Sequence, residues 1–230
     1  MKNIAFIFAR GGSKGLPGKN IKPLKGKPLL QYSIDTALAC PSIDQVFVST
    51  DDKEIAAVAE SASAQVINRP AELASDTSPE WFSWRHAIEW VRQHHGAFEH
   101  FVSLPATSPL RAVEDVEAAL TQCRYQQADI CISITPASRS PFFNMVKKDP
   151  QGYLSLVNPP SGEVSRRQDA PEVFDITTVV YVARPDFILQ NMGIFSGKVV
   201  SVEVPKARAV DIDDIYDFRL AEAILAEHDK

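Results

Sequence analysis

The chain has no apolar stretch long enough to cross a bilayer. Met1-Lys2-Asn3 runs straight into an apolar segment and then a polar loop, without the layout of a secretory leader. A cytoplasmic protein that engages no membrane is therefore expected. Cysteine is scarce: the 230 residues hold three, Cys40, Cys123 and Cys131, an odd number and far apart. That spacing excludes a disulfide frame or a cysteine zinc site and suits reduced core thiols. The five histidines form no ligand pattern. His94 and His95 are adjacent, point apart on a helix, and read as a solvated helix end. A strong charge of either sign is also missing. The net charge of -5 argues against a general nucleic-acid binder and requires any anion site to be local. No internal repeat and no low-complexity tract interrupts the 45% hydrophobic, 23% charged composition of an ordinary globule.

What is present begins with the apolar run Ile4-Ala5-Phe6-Ile7-Phe8-Ala9, a buried strand by length and composition. It feeds Arg10-Gly-Gly-Ser-Lys-Gly-Leu-Pro-Gly-Lys-Asn20, a loop with four glycines and three cations. Glycines let backbone N–H groups close around phosphate oxygens, and Arg10, Lys14 and Lys19 supply the countercharge. The loop is neither of the two common phosphate signatures. Five residues separate Gly12 from Gly18-Lys19, and Asn20 brings no hydroxyl for a metal, so it is not a Walker A loop. G-x-G-x-x-G is absent as well.

Strand and helix signals then alternate, which indicates parallel βαβ units. Helices are expected at 28–40 (with Leu29, Ile34, Ala37 and Leu38 on one side), 53–62 and 113–127, and strands at 45–50, 65–68, 100–104 and 130–135. Ser78 reads as an N-cap with Pro79 at the first helical position. Trp81, Trp84, Ile88 and Val91 follow at helical spacing as core residues. The pattern changes at 136–171, with short strand-like pieces at 142–147 and 153–157 around a Pro/Gly/Ser-rich stretch. It resumes with strands at 176–183 and 199–204 and helices at 185–192 and 215–227. Ligands of open parallel sheets sit beyond the carboxyl ends of the strands. That topology puts the first loop, the Asp51 region, the Arg69 loop, the Pro105 loop and Asp211/Asp213 on one rim.

Asp211-x-Asp213 is the second strong feature. Two carboxylates two apart in an extended segment share a side. Mg²⁺ takes hard oxygens, often one or two carboxylates with phosphates and waters. The competing reading of the pair is that it favours the N-terminus of the last helix through its dipole, a role that Asp214 and Asp217 could fill instead.

The first loop resembles the signature of the sugar nucleotidyltransferases, and the closest resemblance is to the CMP-acylneuraminate synthetase family. Arg69-Pro-Ala-Glu-Leu-Ala-Ser-Asp-Thr77, Arg166-Arg-Gln-Asp-Ala-Pro171 and Val210-Asp-Ile-Asp213 with Asp217-Phe218 and Ala221-Glu222 resemble further family segments, so the likeness runs from residue 4 to about 225. The resemblance implies an α/β fold with a mostly parallel, Rossmann-like sheet flanked by helices: a nucleotidyltransferase domain at 1–135 and 176–230, with a dimerisation and sugar-binding insertion at 136–175. It implies a reaction of CTP with a sialic-acid-like nonulosonic acid, giving CMP-sugar and pyrophosphate, in a homodimer using Mg²⁺. Arg10, Gly11, Gly12, Ser13, Lys14, Lys19, Asn20 and Arg69 match nucleotide positions. Asp211 and Asp213 match the metal ligands and, with Arg10, Lys14 and Lys19, the catalytic set. Thr107, Asn144, Arg167, Gln168 and Phe195 match sugar positions, with Arg167 offered across the dimer interface.

Departures fall on the sugar side. Pro105 stands where many sialic-acid synthetases have glutamine. Asp175-Ile-Thr-Thr-Val179 stands in place of Arg-Pro-Asn-Gly-Ala. Ser140-Pro-Phe-Phe-Asn144 and Phe174-Asp175 are more similar to the branch that activates bacterial acids such as legionaminic acid. Three other readings compete: activation of another acid sugar such as Kdo, a metal-dependent glycosyltransferase using D-x-D, and a non-enzymatic nucleotide sensor.

Overall fold

Alternation along one strand divides the core. The computed structural model describes residues 2–12, 15–159 and 166–228. In β1 (Asn3–Phe8), Ile4 and Phe6 enter one hydrophobic cluster, while Ala5 and Ile7, with Ala9 just beyond, enter another on the opposite face. The chain continues through a small ribbon, β2 (Pro23–Leu24) and β3 (Lys27–Pro28), into α1 (Leu29–Ala39). Then come β4 (Gln45–Thr50), α2 (Lys53–Ser61), β5 (Gln65–Asn68), α3 (Glu80–His95), β6 (His100–Ser103), α4 (Val113–Tyr125) and β7 (Ile130–Pro136). A separate antiparallel pair, β8 (Val146–Lys148) and β9 (Leu154–Leu156), precedes β10 (Phe174–Ala183). The chain closes with α5 (Pro185–Gln190), β11 (Val199–Glu203) and α6 (Ile215–His228).

Seven strands form the main sheet in the order β11-β7-β10-β6-β1-β4-β5. All run parallel except β10, which lies antiparallel between β6 and β7. The chain lays β4 and β5 on one side of β1 and returns with β6 on the other, so a crevice opens beyond the ends of β1 and β6. Residues of α1, α2 and α4 cover one face. α3 and α5 cover the other, where Phe6 stacks on Phe101 with centroids 4.8 Å apart and Trp81 and Trp84 are buried. Among the described residues no helix is long and apolar enough to cross a membrane.

The expected elements are present, and most ends fall within two residues of expectation. Four details differ. The helix at 80 has Pro79 itself at its N-cap, without a side-chain cap, so Ser78 does not cap it. Leu38 is 51% exposed, because one residue past Ala37 turns about 100° off the buried stripe. Residues 141–144 form turns and the strand starts at Val146, since the Ser140 carbonyl gathers the N–H groups of Phe143, Asn144 and Met145. His95, next to exposed His94, packs edge-on against Phe47 at 5.1 Å. All three cysteines are free and buried.

Between Ile176 and Tyr181, β10 advances five residues while β7 moves back two, from Ile134 to Ile132. The surplus forms a bulge at 177–180, where Thr178 meets Ser108 and Arg111 of the segment after β6. Ser133 holds it, accepting from the Val180 N–H at 2.9 Å and from the Thr177 hydroxyl at 2.7 Å.

Candidate active site

The apolar residue between the two aspartates sets their position. Ile212 is fully buried in a small cluster with Leu24, Leu29, Phe218 and Ala221, and Leu16 of the first loop packs on it. In an extended segment, burying Ile212 turns its flanking carboxylates the other way. The Ile212 N–H donates to the Thr107 carbonyl at 2.8 Å, which ties the segment to the loop after β6.

The first loop meets this segment directly. Lys19 donates to the Ile212 carbonyl at 2.6 Å and pairs with Asp213 at 3.2 Å. Gly15 lies so close to the Asp213 carbonyl that any Cβ would collide with it. Gly18 holds φ at +66°, the left-handed conformation that begins the turn presenting Lys19. The two motifs, almost two hundred residues apart in sequence, share one rim.

The other expected segments join the same rim. The Gly11 N–H donates to Asp51 at 3.2 Å, and Asp52 caps α2 through the N–H groups of Glu54 and Ile55. Asn20 is buried and donates to the Arg10 carbonyl at 3.0 Å, so it braces the loop. Gly12 is exposed beside it. Arg10 pairs with Asp76 at 2.7 Å. Arg69 is buried, donates to the Ser49 carbonyl at 2.7 Å and lies 5.6 Å over the Phe8 ring. Arg10, Arg69, Phe8, Ser78 and Glu80 line a cavity of about 240 Å³. Ser13 and Lys14 lie outside the described residues.

Asp211 and Asp213 differ in environment. Asp213 has a side chain 79% exposed. The Oδ1 of Asp211 is buried with no hydrogen-bond partner among the described residues. Burial pushes the Asp211 carboxyl above its ordinary value and Asp213 adds to this, while the facing Thr107 and Thr178 hydroxyls and Lys19 pull it back. An under-satisfied buried oxygen beside a second carboxylate is a hard-oxygen pair suited to a divalent cation. No group of three or more His, Cys, Asp or Glu among the described residues could hold a metal alone. Two carboxylates leave the remaining positions to substrate oxygens and water. A second cavity of about 310 Å³ adjoins Asp211 and is lined by Asp175, Thr178 and Lys206 among others.

The sugar-side expectations scatter. Thr107 faces Asp211. The Asn144 side-chain carbonyl accepts the Ser140 N–H at 2.7 Å, closing its own turn. Gln168 is exposed in the short turn Arg167–Asp169, and the Arg167 side chain lies outside the described set. Phe195 is 72% exposed in the turn after α5 and lines neither cavity, because Ile194 beside it takes the inward position.

Sequence reasoning passed over Glu80 and Arg111. Glu80 reaches solvent but stands in the cleft ringed by protein. Burial there raises its carboxyl, against the Trp84 indole and Arg69. Its place just after the Ser78-Pro79 helix start, beyond β5, was the available signal. Arg111 is buried among backbone carbonyls. Burial draws its guanidinium down to about 9, so it stays charged at neutral pH. A lone arginine after Pro-Leu carries no mark of burial.

A family model described as cytidylyltransferase matches residues 4–219. The chain is 31% identical to CMP-N,N'-diacetyllegionaminic acid synthase of Campylobacter jejuni, over 96% of this chain and 93% of that protein. It is 30% identical to pseudaminic acid cytidylyltransferase of the same species, over 97% and 96%. The solved structure of CMP:2-keto-3-deoxy-manno-octonic acid synthetase complexed with CTP shares the fold, with a TM-score of 0.71 over 99% of this chain and all of that one, at 18% identity. With almost its whole length matched to the family, this chain belongs to the cytidylyltransferases.

Proposed function

We propose that this cytidylyltransferase joins CMP from CTP to a nonulosonic acid, releasing pyrophosphate, and works as a homodimer with Mg²⁺. The observation that carries the reading is the contact of Lys19 with Asp213 and the Ile212 carbonyl, beside the cavity of Arg10 and Arg69. It gives one rim both the cations a triphosphate needs and the carboxylates a metal needs. The relatives' names narrow the acceptor to nine-carbon acid sugars. The Kdo alternative has a shared fold behind it and no more.

The anomeric hydroxyl attacks the α-phosphorus in line and pyrophosphate leaves. Such transfers depend on positioning and charge stabilisation rather than on covalent protein chemistry. Arg10 and Lys19 would bear the charge developing on the leaving group, with Lys14 assigned alongside them by family resemblance. Arg69 and Asn20 belong to the nucleoside side of the cleft, Asn20 by holding the loop in shape. Arg167 is assigned the sugar carboxylate, which a guanidinium can grip in bidentate fashion. Asp211 and Asp213 would hold Mg²⁺, which when bound supplies charge neutralisation at the α-phosphate.

The deciding experiment incubates the protein with CTP and, separately, legionaminic, pseudaminic, N-acetylneuraminic and Kdo acids, and reads pyrophosphate. Release with at least one nonulosonic acid and not with Kdo is expected. Release with Kdo alone, or CTP binding without release from any acid, would overturn the reading. A glycosyltransferase would instead consume a CMP-sugar donor and release no pyrophosphate.

A further inference from the structure

Arg111 lies beneath the site and takes no part in the chemistry above. It is 5% exposed. Its Nε donates to the Val179 carbonyl. Nη1 donates to the Ser33 hydroxyl at 2.7 Å, and Nη2 to the carbonyls of Pro105 at 2.7 Å and Thr178 at 3.2 Å. Ser33 itself donates to the Pro105 carbonyl at 3.1 Å. Ser108 and Thr178 share a hydrogen bond of 2.7 Å between their hydroxyls. One guanidinium thus joins α1, the loop after β6 and the bulge of β10.

Two of those elements carry the hydroxyls that face Asp211, from Thr107 and Thr178. The loop also carries the Thr107 carbonyl that accepts the Ile212 N–H. A buried guanidinium without an opposite charge is costly. The nearby carboxylates are Asp115 and Asp211. Asp115 is already held by Arg208 at 2.8 and 3.0 Å and by the Ala112 N–H at 2.9 Å. Asp115 still supplies the larger share of the opposite charge at Arg111 and Asp211 the smaller, so the tie between Arg111 and Asp211 runs through the loop and the bulge. A lysine offers its donors from a single point and cannot reach acceptors on three elements, so the planar fork matters as well as the charge.

We propose that Arg111 is a positioning residue: its fork locks the 105–108 loop against the bulge of β10, and that lock sets where the Asp211 carboxylate stands. The proposal rests on the reading of Asp211 as part of the reaction site.

The test is a double-mutant cycle. Arg111→Lys and Ser108→Ala are each made alone and with Asp211→Asn, and kcat, the CTP KM and thermal melting are measured. Arg111→Lys alone should lower kcat about tenfold or more, with the CTP KM within about threefold of wild type. In the Asp211→Asn background the same change should cost less than about threefold. A purely structural role would lower melting and act equally in both backgrounds. An equal loss in both, or a folded Arg111→Lys protein with kcat within about twofold of wild type, overturns the proposal. If Arg111→Lys does not fold, Ser108→Ala decides by the same non-additivity, with a smaller loss. Asp211→Asn at wild-type turnover would sink the underlying reading and the proposal with it, whereas an additive cycle sinks the proposal alone.

Discussion

Asp211 stands where a carboxylate is costly: one oxygen is buried without a partner and Asp213 is two residues away. Its raised pKa means that the folded state holds the proton more tightly than the unfolded chain. Such a group contributes stability below its ordinary value, near 3.8, and that contribution is lost as pH rises through the folded value. At neutral pH the ionised form therefore works against the fold, a strain tolerated where function needs it. Asp211→Asn should cut turnover about tenfold or more while melting in EDTA at or above wild type. A melting temperature more than about 2 °C lower would contradict the burial argument. Gly15 gives a second test at this scale. An added methyl would meet the Asp213 backbone oxygen, so Gly15→Ala must push the first loop off the aspartate segment. Turnover should fall about tenfold or more with the global fold retained by circular dichroism. Activity within about twofold of wild type would show that the close approach is dispensable.

Elements divide by how local their causes are. β1, its glycine-rich loop and Asp211-x-Asp213 were legible because strand patterning and spacing are local properties of the chain, and sheet topology then places them on one rim. The antiparallel course of β10 was not legible. Val179, Val180 and Tyr181 read as strand in either direction, and direction is decided by pairing with β6 and β7, dozens of residues away. The bulge at 177–180 was hidden for the same reason, and with it the roles of Thr178 and Arg111. A further tertiary tie, between α4 and the end of α1, was equally invisible. Burial alone would raise the Glu117 carboxyl, but the Cys40 thiol and the Ser42 hydroxyl and N–H donate to it and bring it below its ordinary 4.5. A depressed carboxylate stabilises the fold above its ordinary pKa, and the effect is lost as pH falls through the folded value. Glu117→Gln should therefore melt about 2–4 °C below wild type at pH 7, for roughly one charge-assisted hydrogen bond lost. The gap should close in acid, as pH falls from 4.5 through the lower folded value. A gap that persists in acid would mean that the loss is one of packing, not charge.

At the scale of the whole molecule, the strand ends of the main sheet carry the proposed nucleotide side of the cleft, and the segment between β7 and β10 has its own small sheet. Half of the large hydrophobic side chains left exposed among the described residues lie between 145 and 176, including Val146, Tyr153, Leu154 and Ile176. Exposed apolar side chains clustered in one segment mark an interface, and a second copy of the chain is the proposed occupant. In a two-fold dimer the same patch serves both copies, so one arm can bring Arg167 to its neighbour's sugar site. Sedimentation at micromolar concentration should give twice the 25.4 kDa chain mass. Changing Val146 and Leu154 together to aspartate places like charges on both sides of a two-fold contact and should give a monomer with an unchanged circular dichroism spectrum. That monomer should still bind CTP, because every residue of the first loop and the Arg69 cavity lies in its own chain. It should lose sugar-dependent pyrophosphate release about tenfold or more, and Arg167→Ala in the intact dimer should raise the sugar KM by a similar factor with the CTP KM little changed. A wild-type monomer, or a monomeric variant with full turnover, would place the sugar site within one chain and leave the arm with another task.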